Sequence, residues 1–101
     1  MNDVTIYCMI KSFRCKETKR IFSRVFSKKL PPDIQENARQ KLVVLDSITS
    51  LNDLRIPPGN RLEELKDDRK GQHSIRIYGQ WRICFEWKNA DAFNVEIVDC
   101  H

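Results

Sequence analysis

Long apolar runs are missing from this sequence, and so is the start of an export signal. No stretch of the chain approaches the ~20 consecutive apolar residues that a membrane-spanning helix needs. Residues 1–8 lack the basic start and the apolar core of a signal peptide. With 41% hydrophobic and 32% charged residues, the chain is expected to form one domain over residues 1–101, in the cytoplasm and away from membranes.

Cysteine pairs with the spacing of a metal site are missing too. The four cysteines stand at positions 8, 15, 84 and 100, and the histidines at 73 and 101 do not complete a zinc-binding pattern. Without an export signal, reduced thiols are the expected state. The sequence therefore predicts no metal site and indicates no cofactor.

Positive charge is present in modest excess, and it is unevenly placed. The net charge is +4. Residues 1–54 hold ten Lys and Arg against six Asp and Glu, whereas residues 55–101 hold eight against eight. Such an excess is compatible with nucleic acid or with an acidic protein partner, and charge alone does not choose between them.

The first half of the chain predicts a strand and two helices. Residues 4–13 are rich in β-forming residues, and residues 15–26 carry an apolar stripe that is typical of a helix. That stripe consists of Ile21, Phe22, Val25 and Phe26. Two prolines separate this helix from a second one within residues 28–48. The core-facing positions of the second helix are Ile34, Ala38, Leu42, Leu45 and Ile48.

From residue 61 onward the apolar period changes to two, which is typical of strands. After a helical turn and a Pro-Pro-Gly loop, the candidate strands are residues 60–66, 72–78, 81–87 and 92–99. Short polar turns join the last three, so the sheet is expected to be mainly antiparallel. The predicted fold class is α+β, with two N-terminal helices packed on one face of the sheet.

Alternation along the last three strands assigns their side chains to two faces. The face expected to pack under the helices carries Ile75, Ile77, Ile83, Phe85, Val95 and Ile97. The opposite face carries Arg76, Arg82, Cys84, Glu86, Asn94 and Glu96. Two arginines near the middle of an open face are either solvated surface or a binding surface, and the pattern leaves both open.

Three segments give a more specific signal: "PPGNRLEELKDDRKGQHSIRI", "QWRICFEW" and "VEIVDCH". Together they resemble the HigB toxins of bacterial toxin–antitoxin modules, within the RelE/ParE superfamily. The resemblance runs from Met9 to His101, so residues 1–8 are either an alternative translation start or an extension of the first strand. It implies an α+β domain that cleaves messenger RNA in the ribosomal A site, and a HigA-like helix-turn-helix antitoxin as partner.

Metal-free RNA cleavage requires a base for the ribose 2′-OH, an acid for the departing 5′ oxygen, and fixed positive charge at the phosphate. The resemblance implies that a cleft formed by the end of the last strand, Lys66 and Arg82 supplies these groups. The implied catalytic residues are His101, Lys66, Asp99, Arg82 and Glu63. The candidate RNA-binding residues are Lys66, Arg69, Arg76 and Arg82. The sequence does not decide which group is the acid and which is the base.

Three positions depart from the family pattern. Cys100 stands where the family often has tyrosine, Glu63 where some members have histidine, and Asp67 where the family has a turn glycine. Cysteine neither stacks on a base nor polarises a phosphate well, and the other two changes add negative charge near RNA. All three changes therefore indicate a slower or weaker nuclease. The alternatives are a ParE-like toxin that binds DNA gyrase without catalysis, and a weakened or inactive relative that only binds RNA or protein.

Overall fold

The computed structural model describes residues 10–99, which form two helices on one face of a four-stranded sheet. The predicted α+β class and layer arrangement are confirmed. Residues 1–9, Cys100 and His101 lie outside the described residues. The helices are α1 (Lys16–Phe22) and α2 (Pro32–Ser47). The strands are β1 (Glu63–Glu64), β2 (Gln72–Tyr78), β3 (Trp81–Lys88) and β4 (Asp91–Asp99), antiparallel in that order.

Helix α1 ends four residues earlier than its apolar stripe predicts. After Phe22 the backbone turns left-handed at Arg24, with φ of 66°. The Val25 amide donates to the Arg20 carbonyl at 2.8 Å, and the Arg24 amide donates to the Ile21 carbonyl at 3.0 Å. These two bonds form a Schellman C-cap, in which glycine usually occupies the left-handed position. An arginine there gives no stop signal, so the predicted helix over 15–26 was too long.

Helix α2 follows the prediction closely. Pro32 occupies its first turn, where a missing amide hydrogen costs no helical bond, and Asp33 adds negative charge at the positive end of the helix dipole. The predicted stripe faces inward over the whole length of the helix. Its buried members are Ile34, Ala38, Leu42, Leu45 and, just past the helix, Ile48. All of these residues except Ile34 belong to the core cluster that the helix forms with the sheet.

The sheet differs from the prediction at both edges. The expected strand over residues 60–66 contains only two strand residues, Glu63 and Glu64, because 3-10 turns occupy Pro58–Asn60 and Asp67–Arg69. At the other edge, Ile10 and Phe13 form parallel bridges with Ala92 and Val95 of β4. The rest of the predicted first strand, residues 4–9, lies outside the described residues.

The predicted inward face of the sheet is confirmed as the core. Ile75, Ile83, Phe85 and Val95 are fully buried against the stripe of α2, and Ile97 packs partly buried beside them. Because these positions face the helices, the side chains that alternate with them lie on the opposite face of the sheet.

Within residues 10–99, no helix is long and apolar enough to cross a membrane.

Replacing Leu42 with alanine should lower the free energy of unfolding by ~2–5 kcal/mol, because the side chain is fully buried between α2 and the sheet. The matched control is Val43→Ala on the same helix, where the side chain is 45% exposed. Urea denaturation of both variants measures the difference. A Leu42→Ala midpoint equal to that of Val43→Ala would show that this stripe does not face the core.

Candidate functional site

A pair of arginines lies at the centre of the sheet face that points away from the helices. Arg76 on β2 is directly opposite Arg82 on β3 in the ladder, so both project from the same face. The adjacent row on that face contains Glu63 of β1 and Ser74 of β2, which are also paired. We call Glu63, Ser74, Arg76 and Arg82 the arginine face.

Arg82 is held more firmly than an open sheet face predicts. Its Nε donates to Ser74 Oγ at 2.9 Å, and its Nη2 donates to the Arg61 carbonyl at 2.7 Å. The carboxylate of Glu63 lies 3.8 Å from Nη2, and the arginine side chain is only 14% exposed. Two directional bonds fix the plane of the guanidinium. Neither bond uses Nη1.

Arg69 bonds to side chains of two different strands on the same face of the sheet. Its Nη1 donates to Gln72 on β2 at 3.1 Å and to the Glu96 carboxylate on β4 at 2.9 Å. On β3, between these two strands, Cys84 lies opposite Glu96 and is 1% exposed. The far face was expected to be open at Cys84, and the structure shows it covered there. The candidate phosphate contact of Arg69 stays a prediction, since its charge is shared with Glu96.

Lys66 lies on the turn that follows β1, three residues after Glu63 of the arginine face. It is exposed and precedes the 3-10 turn Asp67–Arg69. With Glu64, Leu65, Asp67 and Lys70 it lines a surface pocket of about 360 Å³. Asp67 has φ of 56°, so this position does adopt the left-handed conformation expected where the family has glycine. Among residues 10–99, no hydrogen bond or ion pair joins Lys66 to Arg82.

Asp99 is not brought to the arginine face. It pairs with Trp81 of β3, so the register places it on the side of Trp81 and Ile97, which pack towards the helices. The resemblance grouped Asp99 with Arg82, but their side chains project from opposite faces of the sheet. His101, the other candidate from this end of the chain, lies outside the described residues. The catalytic roles of both stay predictions.

Two contributors to the arginine face were missed from the sequence. Ser74 alternates in step with Arg76 but was not among the residues assigned to this face, and no sequence signal indicates its bond to Arg82. The Arg61 carbonyl accepts a hydrogen bond from Arg82, and Arg61 itself is left-handed, with φ of 47°. This conformation cannot be predicted from the residue type, because arginine rarely adopts it. Over residues 10–99, no three His, Cys, Asp or Glu side chains are grouped as metal ligands would be.

A family model of HigB-like toxins, described as RelE-like toxins of type II toxin–antitoxin systems, matches residues 11–101. The chain belongs to this family. The match spans both helices and all four strands, so the arginine face is part of a HigB-like toxin domain. The resemblance that the three sequence segments predicted is thereby confirmed.

Curated relatives agree with the family. The chain is 43% identical over 65 residues to "Toxin HigB-1" of Vibrio cholerae, an alignment that covers 64% of this chain and 68% of the relative. It is 32% identical over 93 residues to "Endoribonuclease HigB" of Proteus vulgaris, covering 92% of this chain and 100% of the relative. An uncharacterized Haemophilus influenzae protein is 31% identical over 67 residues, 66% of each chain.

A second surface of the HigB-like domain lies on its helices and is both basic and apolar. Lys16, Lys19 and Arg20 are exposed on α1. Just beyond the helix, Val25 is 47% exposed and Phe26 is 60% exposed, although both were assigned to the apolar stripe of the first helix. We call Lys16, Lys19, Arg20, Arg24, Val25 and Phe26 the basic helix surface. The early end of α1 removes Val25 and Phe26 from the core and leaves them on this surface.

Two carboxylates border the basic helix surface and keep their charge. Ser27 Oγ donates to Glu17 at 2.5 Å, which lowers the pKa of Glu17, and the nearby Arg20 lowers it further. Arg39 and Gln40 on α2 donate to Glu36 and lower the pKa of that carboxyl, while Glu36 raises the pKa of Arg39.

Glu17→Gln should flatten the loss of stability in acid. A carboxyl whose pKa is lower in the folded chain stabilises it above the unfolded pKa of about 4.3, and this stabilisation is lost as the pH falls below that value. The parent should therefore lose more stability between pH 5 and 3 than Glu17→Gln does. Urea midpoints across this range measure the effect, with exposed Glu64→Gln as control. Equal losses in parent and Glu17→Gln would contradict a folded-state role for the Ser27 contact.

Proposed function

We propose that this toxin is a ribosome-dependent endoribonuclease that cleaves mRNA in the A site by metal-free attack of the ribose 2′-OH. Family membership and the relative named an endoribonuclease support the activity. The resemblance stated from the sequence supports the ribosomal setting, which places the activity in the cytoplasm.

The observation that carries the proposal is the cross-strand pairing of Arg76 with Arg82. Like charges directly opposite each other destabilise a sheet that has no counterion. The carboxylate of Glu63, 3.8 Å from Arg82, offsets part of this repulsion. A phosphate bound at the pair would relieve the rest, and the guanidinium fork matches phosphate oxygens well. A sugar–phosphate backbone is therefore a suitable ligand for the arginine face.

The proposed chemistry divides proton transfer from charge stabilisation. A base takes the 2′-OH proton, the 2′ oxygen attacks the phosphorus, and an acid protonates the departing 5′ oxygen, which leaves a cyclic phosphate and a 5′-hydroxyl end. Arg82 stabilises the negative charge that develops on the phosphate. His101, Lys66 and Glu63 are the candidates for proton transfer, and Asp99, whose side chain projects from the other face of the sheet, is a candidate only for orienting the base. Because Glu63 also lowers the positive charge beside Arg82, a slow nuclease is expected.

The alternative of a gyrase-binding toxin has less support. A toxin that only binds a protein does not need a guanidinium fixed by two hydrogen bonds on an arginine pair. The family model that matches describes HigB-like toxins, and the three sequence segments resemble the same family. A relative that binds RNA without cutting it remains the second candidate, since the arginine face accounts for binding without supplying an acid or a base.

Replacing His101 with alanine should lower the rate of mRNA cleavage by ~10²–10⁴, the usual contribution of a positioned acid or base. Folding and antitoxin binding should be nearly unchanged. The matched control is His73→Gln, because His73 lies on the helix side of the sheet with its ring 5.9 Å from that of Phe85. Cleavage of ribosome-bound message measures both. If His101→Ala cuts as fast as the parent, His101 has no catalytic role, and Glu63 or Lys66 carries out the proton transfers.

The cognate antitoxin is the partner that the family implies, and we place part of its contact on the basic helix surface. Exposed Val25 and Phe26 offer apolar area, and Lys19, Arg20 and Arg24 surround it with positive charge. An antitoxin segment with acidic and apolar residues would complement both features. We propose that this antitoxin is a HigA-like helix-turn-helix protein.

Reversing charge at Lys19 and Arg20 to Glu should slow antitoxin association and reduce its dependence on salt, since charges near an interface steer the encounter. The control reverses Lys70 and Lys88, which are exposed on the sheet side, and changes the net charge equally. Stopped-flow association at several salt concentrations measures both, with urea unfolding to verify the fold. An on-rate and salt slope equal to those of the control would place the antitoxin elsewhere.

A further inference from the structure

Asn60 is a buried polar residue in the loop that leads to the arginine face. It is 1% exposed, and its amide Nδ2 donates to the Leu54 carbonyl at 3.2 Å and to the Ile56 carbonyl at 3.4 Å. Its Oδ1 accepts a hydrogen bond from the ammonium group of Lys41 on α2. One side chain therefore joins helix α2 to the two 3-10 turns that follow it.

The backbone after Asn60 adopts a conformation that its own residue types do not favour. The Asn60 amide donates to the Pro57 carbonyl at 3.0 Å, and the Arg61 amide donates to the Pro58 carbonyl at 3.1 Å. Arg61 is then left-handed, with φ of 47° and ψ of 57°. A non-glycine residue keeps this conformation only where its surroundings hold it. The buried Asn60 side chain is the contact that anchors this turn to α2.

The conformation of Arg61 decides where its carbonyl points, and that carbonyl is one of the two anchors of Arg82. The other anchor, Ser74, sits on the rigid ladder of β2 and needs no support from the loop. With one anchor alone, the guanidinium could rotate about its bond to Ser74. The loop therefore supplies the second point that fixes the guanidinium plane.

We propose that Asn60 is a positioning residue, which holds the Arg61 carbonyl in place and so aims the Arg82 guanidinium at the scissile phosphate. This inference rests on the proposed function of Arg82. Asn60 itself lies beneath the surface and touches no substrate. A loosened Arg61 carbonyl would displace the guanidinium, and a misplacement of ~1 Å in a catalytic group can lower a rate by about 100-fold.

The test is a double-mutant cycle on the cleavage of ribosome-bound message, with rates expressed per folded protein. Asn60→Ala should lower the maximal rate by ~10–100-fold while changing the half-saturating ribosome concentration by less than about twofold, since misalignment acts on the chemical step. In an Arg82→Lys background the same change should have almost no further effect, because lysine is a point charge without a fork to align. Asn52→Ala, in an exposed asparagine of the neighbouring turn, is the matched control.

A second variant keeps the proposal testable if Asn60→Ala does not fold. Lys41→Met removes the ammonium group that donates to Asn60 Oδ1 and keeps an unbranched, uncharged side chain on α2. It should show the same pattern with a smaller loss of rate.

Two failures are distinguishable. If Arg82→Lys cuts as fast as the parent, the role of Arg82 fails, and the positioning role of Asn60 fails with it. If Arg82→Lys is impaired but the losses multiply in the double variant, or if Asn60→Ala changes only half-saturation, Asn60 is a structural residue and the proposed function stands.

Discussion

The guanidinium of Arg82 donates to Ser74 Oγ and to the Arg61 carbonyl, and the rest of the candidate site depends on this double attachment. One acceptor belongs to the sheet and the other to the loop before β1. The sheet packs against α2 through a buried core that includes Leu42 of the helix and Phe85 of β3. The loop is held to the same helix through Asn60 and Lys41. Both the sheet and the loop, each attached to α2, therefore fix the position of the Arg82 guanidinium.

Charge is divided between the two sides of the molecule in a way that suits two different partners. The arginine face combines cations with a nearby carboxylate, Glu63, so its net charge is small and its geometry is fixed. The basic helix surface combines exposed cations with exposed apolar area at Phe26. Fixed donors suit a phosphate whose charge changes during a reaction, whereas mixed basic and apolar area suits a protein segment. The uneven charge noted in the sequence thus belongs mainly to the basic helix surface.

Periodicity alone was sufficient for most of the fold, because burial on one face imposes period two on strands and a stripe on α2. It failed where a single residue adopts a left-handed backbone without being glycine. Arg24 ends α1 early, and Arg61 presents its carbonyl to Arg82. Neither conformation can be inferred from residue type, because arginine rarely adopts it. For the same reason the sequence showed which face Arg82 occupies but not what holds it there.

For Asp99 the strand alternation did indicate the face of the sheet, but its assignment to the candidate site followed the family resemblance instead. The alternation that turns Val95 and Ile97 towards the helices turns Asp99 the same way, and its pairing with Trp81 agrees. Residue roles carried over from a family can be tested in this way against strand register before any experiment. The described strand keeps Asp99 away from the arginine face, so the phosphate-binding part of the account depends on Arg82 and Arg76.

The most direct measurement is 5′-end mapping of a message incubated with the purified toxin, with ribosomes and without them. We expect new 5′-hydroxyl ends inside the translated region when ribosomes are present. We expect far fewer such ends when Arg82 is replaced by lysine, although the net charge of the toxin is unchanged. No new ends, equal cutting of ribosome-free message, or equal cutting by the lysine variant would contradict the central claim that the fixed guanidinium serves ribosome-dependent RNA cleavage.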